Sequence, residues 1–202
     1  MSHQFAEIMF TDGVRAAQEQ YGSRARMERF AGISGPNDEL TEREIGFIAQ
    51  RDTFYMATVN SDGWPYVQHR GGPPGFLRVI GSKQLAYADF RGNTQLISVG
   101  NASSNDRVSL ILMDYPNRRR LKILGRMRVE DAQAVPSEDL AAVELPDYRA
   151  QVERIVYIDV AAFDWNCPQH ITQRYTESEF AQLQTTNSRQ AVRGSGRKTR
   201  QA

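Results

Sequence analysis

The feature that most constrains this chain is a series of short apolar segments between residues 54 and 129, separated by Gly, Pro, Asn and Asp. Segments rich in aromatic and β-branched residues and bounded by turn formers are typical of antiparallel strands. Closely spaced strands of this kind imply a barrel or a sandwich, and the mouth of a barrel is a natural site for a small anionic ligand. The sequence therefore predicts a mainly β protein with flanking helices.

Six strands are predicted in this part of the chain, at residues 53–60, 64–70, 76–80, 85–89, 107–115 and 121–129. The tripeptide Ser61-Asp62-Gly63 has the composition of a tight hairpin turn. The segment GGPPG at residues 71–75 interrupts the pattern, because Pro lacks the backbone donor that a sheet interior needs. A further strand is predicted at residues 155–160, where side-chain character alternates.

Helices are predicted at residues 11–21, from Thr41 onward, at 94–99, at 137–143 and at 176–183. Two of them begin with a Thr followed three residues later by a Glu, which is the spacing of a capping box. We expect three parts in the chain: a helical N-terminal extension at residues 1–50, a barrel domain with its C-terminal segment at 51–184, and a mobile polar and basic tail at 185–202.

The charge balance gives no support to a polyanionic partner. The 202 residues include 25 basic and 24 acidic side chains, a formal charge of +1, so neither nucleic acid nor a membrane surface is expected to bind. The basic run at residues 118–120 has the character of a solvated strand end. The first residues lack the pattern of a secretory signal, and the single cysteine, Cys167, cannot form an internal disulfide. A cytoplasmic location is the resulting expectation.

Polar residues gather at the ends of two predicted strands: Gln68, His69 and Arg70 end one, and Arg91, Gly92, Asn93 and Gln95 follow another. Arginine offers a planar fork of donors that suits phosphate, and Asn, Gln and the backbone N–H groups of a helix start add neutral donors. Together these residues predict a phosphate pocket. The alternative is that Arg70 and Arg91 are solvated turn residues.

The segment DWNCPQH at residues 164–170 places Trp165, Cys167 and His170 close together. A thiol near an imidazole could be a nucleophile or half of a metal site. The chain has only three histidines and no CxxC or HxxxH spacing, so no metal site is expected. Trp165 could stack on a planar ligand or belong to the core, and the role of Cys167 stays open. The motifs GxSxG, P-loop and GxGxxG are all missing.

Several segments resemble, in order and spacing, the core of the pyridoxamine 5'-phosphate oxidase-like flavoproteins. These segments are PYVQHR at 65–70, LAYADF at 85–90, RGNTQLIS at 91–98, NDRVSLILMDYP at 105–116 and RRRLKILGRMRV at 118–129. The later AFDWNCPQHITQRYTESE at 162–179 is similar to the C-terminal segment of one branch of that superfamily. The matches cover roughly residues 41–180 and are specific in combination.

The resemblance implies a six-stranded antiparallel split β-barrel of Greek-key type, which binds FMN at the interface of a homodimer with residues from both subunits in each site. Carried over position by position, it implies the following cofactor-binding residues: Gln68, His69, Arg70, Tyr87, Ala88, Arg91, Gly92, Asn93, Gln95, Arg120, Trp165 and Arg174. Arg120 matches a contact from the other subunit, and Trp165 and Arg174 match a C-terminal pair that completes the site.

The chain departs from the oxidases at two points. Gly92 and Asn93 stand where the oxidases have an Arg-Lys pair, so Arg91 or Arg70 would have to hold the phosphate. The chain also ends in a polar tail rather than in the oxidases' Arg- and His-containing segment, which argues against pyridoxamine 5'-phosphate oxidase activity itself. We expect an FMN-dependent oxidoreductase that uses a small-molecule electron donor or acceptor. The alternative is a non-catalytic flavin- or haem-binding redox or sensor protein, and no catalytic side chain is assigned.

Overall fold

Seven strands form one sheet in this computed structural model, which describes residues 3–33, 35–92, 94–145, 148–165 and 168–185. The strands are β1 (Thr53–Val59), β2 (Pro65–Gly71), β3 (Arg78–Gly81), β4 (Gln84–Phe90), β5 (Arg107–Asp114), β6 (Arg119–Asp131) and β7 (Val152–Trp165). All six predicted strands are confirmed. The sheet has seven strands rather than six, because the segment predicted at 155–160 joins the same sheet as β7.

The strand order across the sheet is β2-β1-β5-β6-β7-β4-β3. The pairs β1–β2, β1–β5, β3–β4, β4–β7 and β6–β7 are antiparallel. The predicted hairpin turn between β1 and β2 is confirmed, and Gly63 adopts a φ of 87° there, which explains why a glycine stands at this position. The β2 and β3 strands lie at the two ends of this order.

The described residues also form the helices α1 (Gln4–Met9), α2 (Asp12–Gln20), α3 (Arg24–Ile33), α4 (Glu42–Ile48), α5 (Ile97–Ser104) and α6 (Ser137–Val143). Residues 177–185 are helical as well. The sequence did not predict α1 or α3. The helix predicted at 94–99 begins later, at Ile97, because Thr94 and Leu96 have left-handed φ values of 57° and 52°.

The main core lies on one face of the sheet, and along β1 and β5 every second residue is buried in it. In β1 these residues are Phe54 and Met56, and in β5 they are Val108, Leu110 and Leu112. Aromatic rings join neighbouring strands. The ring of Phe54 lies 5.5 Å from that of Phe76 and 5.4 Å from that of Tyr87, measured between centroids. Each such side chain contributes about 1.5–3 kcal/mol through its burial.

The chain divides into two compact units. The first comprises Met1–Met113 and Arg120–Cys167, and the second comprises Asp114–Arg119 and Pro168–Ala202. In the second unit, the buried carboxylate of Asp114 accepts hydrogen bonds from Asn117 and Arg119. The predicted mobile tail beyond residue 185 lies outside the described residues, as do Asn93 and Cys167. None of the described helices has the length and apolarity needed to cross a membrane.

Candidate functional site

A pocket of about 260 Å³ lies where β2, the end of β4 and the start of α5 come together. Its polar lining residues are Gln68, Arg70, Asp89, Thr94, Gln95, Ser98 and Arg154. Tyr66, Phe90 and the first turn of α5 supply apolar walls. The pocket therefore combines cationic, neutral polar and apolar surface at one end of the strands.

The alternation of β2 decides which of its side chains reach this pocket. Tyr66, Gln68 and Arg70 are half-buried and line it, while Val67 and His69 are exposed. Successive side chains of a strand point to opposite faces of the sheet. The imidazole of His69 instead meets the ring of Tyr55 edge-on, with centroids 5.6 Å apart.

One buried carboxylate holds two guanidinium groups beside the pocket. Asp89, which is 6 % exposed, accepts a hydrogen bond of 2.8 Å from Nη1 of Arg70 and one of 2.9 Å from Nε of Arg154. Arg154 also donates to Glu153 at 2.9 Å. Burial alone would lower the pKa of Arg154, but the two carboxylates outweigh it and raise that pKa, so the guanidinium stays charged.

The start of α5 contributes backbone donors. Leu96, Ile97, Ser98 and Val99 line the pocket, and the N-cap residue Leu96 has no side-chain oxygen to accept from the first helical N–H groups. The N-terminus of a helix carries a partial positive charge and attracts anions. The hydroxyl of Ser98 donates to Oε1 of Gln68 at 3.1 Å, which links the helix to β2.

The family model described as "Pyridoxamine 5'-phosphate oxidase" matches residues 40–154, more than half of the 202 residues. The chain belongs to the pyridoxamine 5'-phosphate oxidase family. It is thus a member of a flavin-binding family, and the resemblance that the sequence motifs indicated is confirmed. No curated protein matches the chain in sequence.

Solved structures show the same fold at low sequence identity. HupZ of Group A Streptococcus is 16 % identical with a TM-score of 0.50, over 67 % of this chain and 99 % of that one. A candidate pyridoxamine 5'-phosphate oxidase of Lactobacillus delbrueckii is 19 % identical with a TM-score of 0.50, over 64 % of this chain and 97 % of that one. At this identity the likeness concerns the fold.

The structure gathers four of the predicted cofactor residues in the pocket: Gln68, Arg70, Gly92 and Gln95. Tyr87 and Ala88 are both buried in β4, but Tyr87 belongs to the main core and Ala88 to a second cluster with Ile155 and Tyr157. The hydroxyl of Tyr87 donates to Sδ of Met56 at 3.9 Å, and burial raises the pKa of Tyr87 far above its ordinary value. The guanidinium of Arg70 lies 5.7 Å from the Tyr87 ring centroid, so Tyr87 packs under the pocket's cationic side.

Arg91 lies on the surface next to the pocket-lining loop. Its side chain is 70 % exposed, and its Nε lies 3.7 Å from Oε1 of Glu153. Arg91 is not among the residues that line the pocket, whereas Arg70 is. Of the two candidates that could replace the family's Arg-Lys pair, Arg70 is therefore the better placed.

Trp165 lies against α4, at a second cavity of about 640 Å³. Its Nε1 donates to Oε1 of Glu44 at 2.6 Å, and its ring meets Phe47 edge-on at 4.7 Å. The backbone N–H and hydroxyl of Thr41 donate to the other oxygen of Glu44, at 3.1 and 2.5 Å, and the backbone bond is one half of the predicted capping box, which is confirmed. The role of Trp165 toward a cofactor stays a prediction.

The two remaining predicted cofactor residues are Arg120 and Arg174. Arg120 is half-buried on β6, and its Nε is buried without a hydrogen-bond partner among the described residues. Arg174 belongs to the second unit, where its guanidinium lies 5.1 Å from the ring centroid of Tyr115. Neither lines the pocket. Within the described ranges, no group of three His, Cys, Asp or Glu side chains is placed to hold a metal ion.

Sequence reasoning missed Asp89, Ser98 and Arg154. Asp89 carried a usable signal, since it stands two residues after Tyr87 in a strand and therefore shares the inner face. A charged residue on the buried face of a strand needs a partner. Arg154 had no comparable signal, because its pairing opposite Asp89 depends on the register between β4 and β7.

Proposed function

We propose that this protein binds FMN and that the pocket between β2, β4 and α5 holds its phosphate. The observation that carries the proposal is the convergence of Arg70, Arg154 and the N-terminus of α5 on one pocket. These are the groups that bind phosphate in proteins: planar guanidinium forks and the backbone N–H groups at a helix start. The family to which the chain belongs supports a flavin as the source of that phosphate.

The donor set fits a phosphate monoester. Nε of Arg70 is a buried donor with no hydrogen-bond partner in the described part of the chain, so it can donate to a bound anion. Gln68, Gln95 and Ser98 add neutral groups around the same space. A guanidinium is always protonated and can donate from five N–H bonds. Arg70 and Arg154 would therefore hold the phosphate, and the first turn of α5 would orient it.

We also propose a homodimer in which each flavin site is completed by the other subunit. Exposed apolar side chains on β1 and β2 support this, since Val67 is 63 % and Tyr55 is 40 % exposed. Trp64, at the tip of the same hairpin, is 74 % exposed. Large apolar side chains grouped on one face of a sheet are typical of an interface. The Nε of Arg120 on β6, which is buried without a hydrogen-bond partner among the described residues, agrees with the predicted contact to a second subunit's flavin.

The bound flavin would accept hydride or electrons from a small-molecule donor and pass them to oxygen or another acceptor. In such proteins the cofactor carries the redox chemistry, while the chain supplies position and electrostatics. Here the residues would anchor the phosphate and bury one end of the cofactor. No side chain is assigned as general acid or base, since His69 lies on the face of β2 opposite the pocket.

The proposal is tested by titrating the purified protein with FMN and with riboflavin, which lacks the phosphate. We define the phosphate preference as the Kd for riboflavin divided by the Kd for FMN. A preference of at least about tenfold is expected from charge-assisted hydrogen bonds to a phosphate. A preference near one, or no binding at micromolar flavin, contradicts the proposed function.

Turnover is tested separately. The FMN complex is mixed with NADH or NADPH without oxygen, and the flavin absorbance is followed before and after air is admitted. Bleaching followed by recovery supports an oxidoreductase. A flavin that stays oxidised with either donor favours the non-catalytic alternative, and a Soret band on addition of haem to the flavin-free protein would indicate a haem-binding protein instead.

A further inference from the structure

The two guanidinium groups of the phosphate pocket come from strands that are separated in the sheet. Arg154 lies on β7 directly opposite Asp89 on β4, and these two strands pair through their backbones. Arg70 lies on β2, at the end of the strand order, and β2 pairs with β1. The hydrogen bond from Arg70 to Asp89 is therefore a side-chain link between strands that are not neighbours in the sheet.

Asp89 is well placed to fix the positions of both groups. Its side chain is 7 % exposed, and those of Arg70 and Arg154 are 18 % and 16 % exposed. Its two oxygens are divided between them, Oδ1 to Arg70 at 2.8 Å and Oδ2 to Arg154 at 2.9 Å. Without a shared carboxylate, two neighbouring guanidinium groups would repel each other and turn toward solvent.

We propose that Asp89 is a positioning residue for phosphate recognition, an inference that rests on the proposed function. It holds the guanidinium groups of Arg70 and Arg154 beside the pocket before the cofactor arrives, so binding requires little rearrangement of either side chain. Preorganised donors bind more tightly because their ordering is completed in the free protein. Asp89 itself donates no hydrogen bond to the phosphate, since an ionised carboxylate has no donor.

A purely electrostatic role would have the opposite sign. The charge of Asp89 opposes that of a phosphate, so removal of that charge by itself would strengthen FMN binding. Positioning predicts weaker binding, because the asparagine amide offers one acceptor oxygen in place of two and leaves the guanidinium groups without a shared counterion. The direction of the change in phosphate preference therefore separates the two roles.

The test compares Asp89→Asn and Asp89→Glu with the wild-type protein. The phosphate preference is expected to fall about tenfold in Asp89→Asn and about threefold in Asp89→Glu, which keeps the charge but moves it by one methylene. The Kd for riboflavin should change less than twofold in both. Asp164→Asn is the matched control, because Asp164 is 14 % exposed, pairs with Lys122 at 2.7 Å and does not line the pocket. It should keep the wild-type preference.

A rise in phosphate preference in Asp89→Asn, or an unchanged preference in Asp89→Glu, overturns the positioning role. If Asp89→Asn does not fold, Asp89→Glu decides the question by itself, since it alters geometry at constant charge. Equal losses for FMN and riboflavin also overturn the role, because they indicate a general structural defect. A wild-type preference near one is a different result and refutes the proposed function instead.

Discussion

Two buried carboxylates in the first unit differ in the kind of partner that satisfies them. Asp89 accepts from two guanidinium groups, each of which has further donors, whereas Glu44 accepts from Thr41 and from the indole of Trp165. The donors to Glu44 are neutral, and each of them has a single hydrogen, which Glu44 accepts. A carboxylate satisfied in this way stabilises the fold, while one that organises cations leaves donors for a ligand. The difference separates a helix cap from a candidate binding site, although both carboxylates are almost fully buried.

The largest expected effect is on stability, in Glu44→Ala. This change removes the capping box of α4 and leaves the indole N–H of the half-buried Trp165 without its acceptor, so we expect the free energy of unfolding to fall by about 3 kcal/mol. Urea unfolding measures it. The phosphate preference of the remaining folded protein should equal that of the wild type. A changed preference would mean that the α4 cluster and the pocket are not separate in function.

Arg70→Met tests the cationic group that Asp89 holds at the pocket. The change removes a guanidinium that lines the pocket while keeping an apolar stem, so the phosphate preference should fall about thirtyfold, or about 2 kcal/mol. Equilibrium titration with both flavins measures it. Arg126→Met is the control, since Arg126 forms an exposed ion pair with Asp106. Equal behaviour of the two variants would remove Arg70 from the site.

The sequence predicted the elements better than the contacts between them. Local composition located the strand that carries Gln68 and Arg70 and the hairpin turn at Gly63, because both signals depend on neighbouring residues, but it grouped His69 with them although His69 lies on the opposite face. The ion cluster could not be predicted in this way. Asp89 and Arg154 are 65 residues apart, and their contact depends on the register of β4 against β7.

The start of α5 shows the same limit on a smaller scale. The sequence placed a short helix at 94–99, but the left-handed Thr94 and Leu96 delay it to Ile97. Neither residue type favours that backbone conformation, so local propensity points the wrong way. The result is a helix N-terminus at the pocket.

The acid dependence of stability should follow Glu44. Burial would raise its pKa, but hydrogen bonds from Thr41 and Trp165 outweigh burial and hold the pKa below the ordinary value of 4.5. A carboxyl whose pKa is lower in the folded state stabilises the protein above its unfolded pKa, and this contribution is lost as pH falls through the folded pKa. Urea unfolding at about pH 7 and about pH 4 should therefore show a smaller decrease for Glu44→Gln than for the wild type. Parallel decreases would contradict the assignment.

The smallest expected effect is that of Arg91→Met, and it tests whether exposure decides which arginine holds the phosphate. Arg91 is 70 % exposed and its nearest paired carboxylate oxygen is 3.7 Å away, so solvent screens its charge and no contact fixes it at the pocket. The phosphate preference should fall by about twofold, the size expected of a long-range attraction. Titration with both flavins at low and high salt checks this, since the small difference should vanish with added salt. A loss as large as that of Arg70→Met would mean that the loop after β4 closes on the cofactor and brings Arg91 to the phosphate, so that the pocket in the free protein is only part of the site.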